Sequence, residues 1–346
     1  MGKRLKRGAS KGSKIYGIVT LIIIVGAVLG FIWAQTGLLL VNDITYSSFN
    51  LPRQYSGYKI AHVSNIDNER QHVASKIKSD KPDLIVVSGG LVDAKGKYNN
   101  TIKELNELEK IATTVFVAQE KDLDYIDEII SETDAAYFDG NELTLESKGL
   151  TAEEYVELHC DDGMLKEIEE GTDEAEKYMQ YIEDELEKSK DEIIQIMGVN
   201  GFNENIYDTK DEIFAIQNFD SNYRILLFGN YKDSVNLNDS GLSIVLSGGT
   251  YGVKNSTKYT DGAMTVNGYQ LFLSPGVCSD IPESRRFMNF AEVQMITLHD
   301  GMIYRRNLLE RFIDIFMKDT GTIFDNDGGF TEHKYEYNSG VFEDVK

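Results

Sequence analysis

Short apolar runs recur along the chain, several of them closed by Gly, Asn or Pro. Residues 58–64 (Y-K-I-A-H-V-S) lie between Gly57 and Asn65, and 83–88 (D-L-I-V-V-S) end on Gly89-Gly90. Further runs follow at 113–117, 193–198, 213–216, 224–228, 243–247, 270–274 and 292–298. Their length and boundaries predict buried strands. Residues 37–50 read as an extended stalk leading into a first strand. Between the early runs the period changes. Ile102, Leu105, Leu108, Ile111 and Ala112 recur at helical spacing, and 68–79 suits a helix stopped by Lys81-Pro82. Strand–helix–strand alternation predicts βαβ units and an α/β fold.

Residues 149–192 break this pattern. They lack Pro, have few β-branched residues and are densely acidic. Thr151 with Glu154, and Asp173 with Glu176, fit reciprocal helix caps. Ala175, Met179, Ile182 and Leu186 form one narrow apolar stripe. These features predict an inserted acidic helical hairpin that adds little to the main core and can be removed from it. Residues 319–346 form an acidic, aromatic tail.

Residues Ile15–Ala34 are apolar apart from Tyr16 and Thr20, about the 20 residues a helix needs to cross a bilayer. Lys3, Arg4, Lys6, Arg7, Lys11 and Lys14 precede this run. The positive-inside rule places residues 1–14 in the cytoplasm and the main domain, 38–318, outside. The expectation is a single-pass cell-membrane protein anchored through Ile15–Ala34. A cleaved signal peptide is the rival, but its apolar core is normally shorter and Ile32-Trp33-Ala34 is a poor cleavage site.

The formal charge is −22; without the +6 of the first fourteen residues the remainder carries −28. So acidic a body excludes nucleic acid as a partner, since phosphate binding needs a basic footprint. The two cysteines, Cys160 and Cys278, have no metal-ligand spacing and define no disulfide framework.

The strand ends carry the candidate chemistry. Segments 58–67 (Y-K-I-A-H-V-S-N-I-D), 82–93 (P-D-L-I-V-V-S-G-G-L-V-D), 242–254 (L-S-I-V-L-S-G-G-T-Y-G-V-K) and 271–298 together resemble the membrane-anchored branch of the calcineurin-like metallophosphoesterases. That resemblance implies a four-layer αββα sandwich of the metallophosphoesterase type, here with an N-terminal transmembrane helix and the helical insertion. It also implies two divalent metals held by Ser-Asp-x-His, Gly-Asp, Gly-Asn-His, a lone His and Gly-His-x-His. At the corresponding places this chain has Asn65 and Asp67, then Gly90, then Gln119 and Glu120, then Gly229, then Gly249 and Tyr251. Three glycines have no side chain with which to coordinate, and none of the five histidines falls on a ligand position. Asp67 and Glu120 are the remaining carboxylates, a weak oxygen-donor set. The expected function is therefore a pseudoenzyme with neither metal nor catalysis. It would bind a protein partner through the acidic hairpin or the vacated cleft. The alternative is a phosphoesterase with a relocated or weak metal site, acting on lipid-linked phosphates.

Overall fold

In the computed structural model, two parallel-rich sheets lie face to face. The structure describes residues 39–67, 72–93, 95–160, 162–200, 223–229, 237, 241–249, 262–266, 268–277 and 291–301. It also describes helical residues 16, 18–28 and 30, and strand residues 323–325, 334–338 and 341–345.

The first sheet has the order β13-β1-β12-β2-β3-β4-β5. Its strands are β1 (Leu39–Ser48), β2 (Tyr58–Val63), β3 (Leu84–Ser88), β4 (Thr114–Val117), β5 (Ala136–Tyr137), β12 (Ala291–Asp300) and β13 (Ile323–Asp325). The second has the order β10-β11-β9-β8-β7-β6. It is built from β6 (Glu142–Thr144), β7 (Ile194–Val199), β8 (Tyr223–Phe228), β9 (Ile244–Ser247), β10 (Gly262–Val266) and β11 (Tyr269–Leu273). β2 to β5 are mutually parallel, as are β7, β8, β9 and β11. β14 (Lys334–Asn338) and β15 (Val341–Val345) pair with each other. The expected strand at 213–216 lies outside the described residues.

Continuous apolar runs are what strands covered on both faces require. Along β2, Tyr58 and Ile60 face the second sheet, and Ala61 and Val63 face the helices. The inter-sheet core joins Ile60, Val86 and Val117 to Ile196, Ile225, Leu246 and Phe272. Tyr46 and Phe272 meet edge to face across it at 5.9 Å. On the outer face of the first sheet lie α1 (Val73–Ile77), α2 (Asn99–Glu109) and α3 (Ile126–Glu132), which bury Val73, Ile77, Leu105, Leu108 and Ile129. Helix, sheet and sheet are thus three of the four expected layers. The fourth expected layer lies outside the described residues.

The insertion differs from a hairpin. It is three helices, α4 (Ala152–His159), α5 (Asp162–Glu170) and α6 (Asp173–Lys188). The Thr151–Glu154 capping box forms as expected. The second cap sits one residue earlier than expected, with Thr172 accepting from Ala175 N. Ala175, Ile182 and Leu186 are buried among the three helices.

Nor is the insertion a loose appendage. A short 3-10 turn, Arg53–Tyr55, carries the connection. Arg53 pairs with Glu185 on α6 at 3.2 Å and lies 3.8 Å from Asp300 at the end of β12. Tyr155 donates to Asp300 Oδ2 at 2.8 Å, and His159 Nε2 sits 3.1 Å from Oδ1 and 2.9 Å from Ser56 Oγ. Gln54 donates to the carbonyl of Leu186 at 3.2 Å. Burial raises the Asp300 pKa, but the bonds from His159 and Tyr155 and the charge of Arg53 outweigh it, so the carboxyl stays below its ordinary range. The narrow apolar stripe could not reveal this junction, because its anchors are polar residues dispersed in sequence.

At the N-terminus, residues 18–28 are helical, with Ile18, Leu21, Ile22, Ile23, Ile24, Val25 and Val28 exposed. Among the described residues no helix is long and apolar enough to cross a membrane. Residues 15, 17, 29 and 31–34 of the expected span lie outside that set.

Removing one partner of a buried ion pair leaves the others uncompensated. Asp300→Ala should therefore cost about 3–5 kcal/mol, measured by urea unfolding. A cost under about 1 kcal/mol would make the insertion the separable appendage expected from sequence.

Candidate functional site

The parallel strands of both sheets end on the same side of the sandwich, and small polar residues replace the apolar core there. Ser88 closes β3 and Ser247 closes β9, each followed by Gly-Gly. Ser64 and Ser274 follow β2 and β11 and bond to each other at 3.1 Å between hydroxyls.

Most positions singled out by resemblance meet here. A Cβ added to Gly90 would collide with the Asn65 amide, and one added to Gly276 would come within 2.5 Å of Asn65 Oδ1. A Cβ on Gly89 would lie 2.5 Å from Gln119 Cγ, and one on Gly249 would lie 2.7 Å from Gln119 Nε2. At Gly229 a Cβ would run into the carbonyls of Ala118 and Asn200. Asn65, Gly90, Gln119, Gly229 and Gly249 therefore form one cluster. Asp67 reaches it through Lys121, whose ammonium is 3.5 Å from Oδ2. Glu120 does not join them; it is exposed. Tyr251 lies outside the described residues, as does Cys278. Cys160 is buried in the insertion, 3.7 Å from the Tyr178 hydroxyl.

The cluster is packed rather than hollow. Gly89, Gly90 and Gly249 have φ of +79°, +75° and +92°, where a side chain brings backbone strain as well as collision. Restoring Asp at 90 or His at 249 therefore needs more than a change of side chain. Asn65 has φ +55°, a conformation Asn tolerates better than most residues. Its side chain is fully buried, and neither amide atom has a hydrogen-bond partner. Among the described residues, the donors present do not fit a binuclear metal centre. Three of the positions are glycine, the neighbouring side chains are amides, and an ammonium already faces the buried carboxylate.

Two features escaped the sequence reading. The first is Asp122, fully buried beyond β4. Its Oδ2 accepts from Gly90 N and Gln119 N, both at 2.9 Å. Its Oδ1 accepts from Leu91 N at 2.9 Å and Val92 N at 3.0 Å. Burial raises the pKa of this carboxyl, and the four N–H bonds oppose the rise. The only hint in sequence is an acid three residues after Gln119.

The second is a polar floor beneath the cluster. His62 Nδ1 lies 2.9 Å from Gln294 Oε1, its register partner across β2 and β12, and Nε2 lies 2.8 Å from Ser88 Oγ. Gln294 Nε2 donates to the carbonyl of Leu273 at 3.0 Å, which turns Oε1 toward His62. Oε1 only accepts, so Nδ1 carries the proton and Nε2 accepts from the Ser88 hydroxyl. Nucleophile, base and orienting group have the order of a hydrolytic triad. Ser88 is fully buried, however, and Gly248 covers it so closely that a Cβ there would come within 2.5 Å of Ser88 Oγ. In this arrangement the three residues fasten β12, β2 and β3 together. Burial lowers the His62 pKa to about 4.

No family model matches the chain, and no curated protein sequence matches it. Among solved structures, the SoxB sulfate thiohydrolase of Thermus thermophilus in complex with glycerol is similar at a TM-score of 0.40 and 8% identity. The similarity covers 70% of this chain and 57% of that one, so the chain spans little more than half of that enzyme's length.

Two measurements follow from the site. Asp122→Ala leaves four buried N–H groups without their acceptor, and a loss of at least about 3 kcal/mol is expected in denaturant unfolding; a loss near zero would remove the clamp from the account. His62 titrates lower in the folded than in the unfolded chain. From about pH 6.5 down to 4 the unfolded state binds the extra proton, so this contribution to stability falls as pH falls. Between pH 7 and 4.5 the loss should be about 2 kcal/mol and should be absent from His62→Gln. An NMR titration placing His62 near 6.5 would contradict this.

Proposed function

We propose that the chain is a membrane-anchored pseudo-phosphoesterase of the metallophosphoesterase type, without a binuclear centre, that acts by binding a partner outside the cytoplasm. The observation that carries this reading is the strand-end cluster. The positions that family uses for metals gather at one end of two face-to-face sheets. The residues there are glycines and buried amides packed against one another. The missing nitrogen donors and the collisions at Gly90 and Gly249 support loss of the metals rather than exchange of one ligand for another. The exposed apolar helix at 18–28 and the six basic residues before it support the anchor. Main domain and acidic insertion then share the outer side.

The purified full chain should hold well under one Mn, Fe or Zn per molecule. It should not hydrolyse aryl phosphates when these metals are supplied. Elemental analysis near two metals per chain, or metal-dependent turnover, would favour the active phosphoesterase instead. For topology, protease added to intact cells should remove the main domain, whereas complete protection would reverse the orientation.

A further inference from the structure

The pairing register fixes which end of the sandwich lies nearest the apolar run at the N-terminus. β1 begins at Leu39, opposite Ala291 of β12, and runs parallel to β12 as far as Ser48, opposite Asp300. β12 in turn runs antiparallel to β2, with Gln294 opposite His62. Three residues further, the same register brings Asn65 level with Ala291 and so with Leu39. Ser88 and Val117, which end β3 and β4, pair with each other at nearly the same height. The strand-end cluster therefore begins two strand spacings, about 10 Å, from the first residue of β1. The junction with the insertion lies at the other end. Asp300 and Ser48 are nine residues along the strands from Ala291 and Leu39, about 30 Å away.

Ala34 closes the apolar run, and five residue steps separate it from Leu39, a reach of at most about 18 Å. The chain thus enters the domain beside the strand-end cluster and then heads toward the insertion. Charge is divided along the same axis. The loops at 89–98 and 118–122 hold three acids and three lysines, whereas 149–192 holds 17 acids and four lysines, a net of −13. A domain lying on its side would press those acids onto the headgroups, where anionic lipid makes each unit charge worth about 1 kcal/mol. Held about 30 Å further out, they lie beyond several Debye lengths of about 8 Å each and escape that repulsion. We propose that the strand-end face is the membrane-facing surface of the domain, apposed to the lipid headgroups of the bilayer that holds the anchor, with the acidic insertion turned away from it. The inference rests on the anchored reading above and adds to it an orientation and a class of contact. The strand ends meet lipid headgroups, and the insertion meets the aqueous phase.

The test uses the full chain reconstituted into phosphatidylcholine vesicles containing phosphatidylglycerol. Lys95, in the loop after β3, and Glu183, on α6, are both exposed. Glu183 lies two residues from Glu185, which pairs with Arg53 at the junction. Lys95→Cys and Glu183→Cys are made separately in a Cys278→Ser chain, with the buried Cys160 left in place. A membrane-impermeant maleimide dye added from outside labels the outward-facing domains, and the Cys278→Ser parent gives the background. Lipid carrying a nitroxide on its headgroup then serves as the quencher. The dye at position 95 should be quenched several-fold more than the dye at 183. Equal quenching at the two positions, or stronger quenching at 183, would overturn the inference. Flotation of the vesicles separates the two readings. A chain that floats with the vesicles but shows the wrong quenching order sinks the orientation alone. A chain that stays behind when the vesicles float sinks the anchor, and the orientation with it.

Discussion

A single buried carboxylate organises the end of the sandwich where the two sheets converge. Asp122 accepts four backbone N–H groups, three from the loop after β3 and one from the residue that opens the turn after β4. Neither loop belongs to a helix or a sheet ladder, so those N–H groups have no partner in regular secondary structure. Left orphaned in the interior, each would cost about 1–3 kcal/mol. Held together, they fix Gly89 and Gly90 against Asn65 and Gln119. The packing of the cluster, the placement of Lys121 and the closure over Ser88 all presuppose that clamp.

Given the clamp, volume decides what the site can hold. Both sheets end on Ser-Gly-Gly, and the glycines let backbone approach side chain where any Cβ would intrude. Asn65 and Gln119 fill the space thus made. Below them, His62, Gln294 and Ser88 form a satisfied polar floor whose tautomer is dictated by the orientation of Gln294. A hydroxyl bonded to a neutral imidazole is chemically suggestive. Its complete burial under Gly248 makes it a fastening across three strands. The site is thus a closed polar plug at the end of an apolar core, with the Lys121 ammonium turned onto the buried Asp67 carboxylate.

The strands were legible because their burial on both faces leaves unbroken apolar runs. β2, β3, β4, β7, β8, β9, β11 and β12 all lie where those runs predicted them. The convergence of Asn65, Gly90, Gln119, Gly229 and Gly249 was legible through resemblance, since strand order carries strand ends with it. Three matters were not legible. The short strands β5 and β6, two and three residues long, have no periodicity to detect. The insertion read as two helices because its central helix lacked a recognised cap, and as detachable because the residues that fasten it are polar: Arg53 and Ser56 precede it by a hundred positions, and Asp300 follows by more than that. Asp122 and Lys121 were invisible because an acid and a base inside E-K-D-L-D look like a solvated turn until the loop after β3 is laid against them.

Energetic liabilities show where selection has kept something other than stability. A left-handed non-glycine backbone, a buried amide without hydrogen-bond partners and a buried carboxylate in an ion pair all occur within three residues of one another, at Asn65 and Asp67. The buried amide and the ion pair each cost free energy that an apolar side chain of similar size would recover. Local rules broken together at one site are the usual mark of a retained role. This argues that the plug is the part of the molecule on which function depends, with the acidic insertion fastened at the opposite end, near the start of β2 and the end of β12. The plug and the acidic insertion are thus two separate regions of the same domain, at opposite ends of its strands.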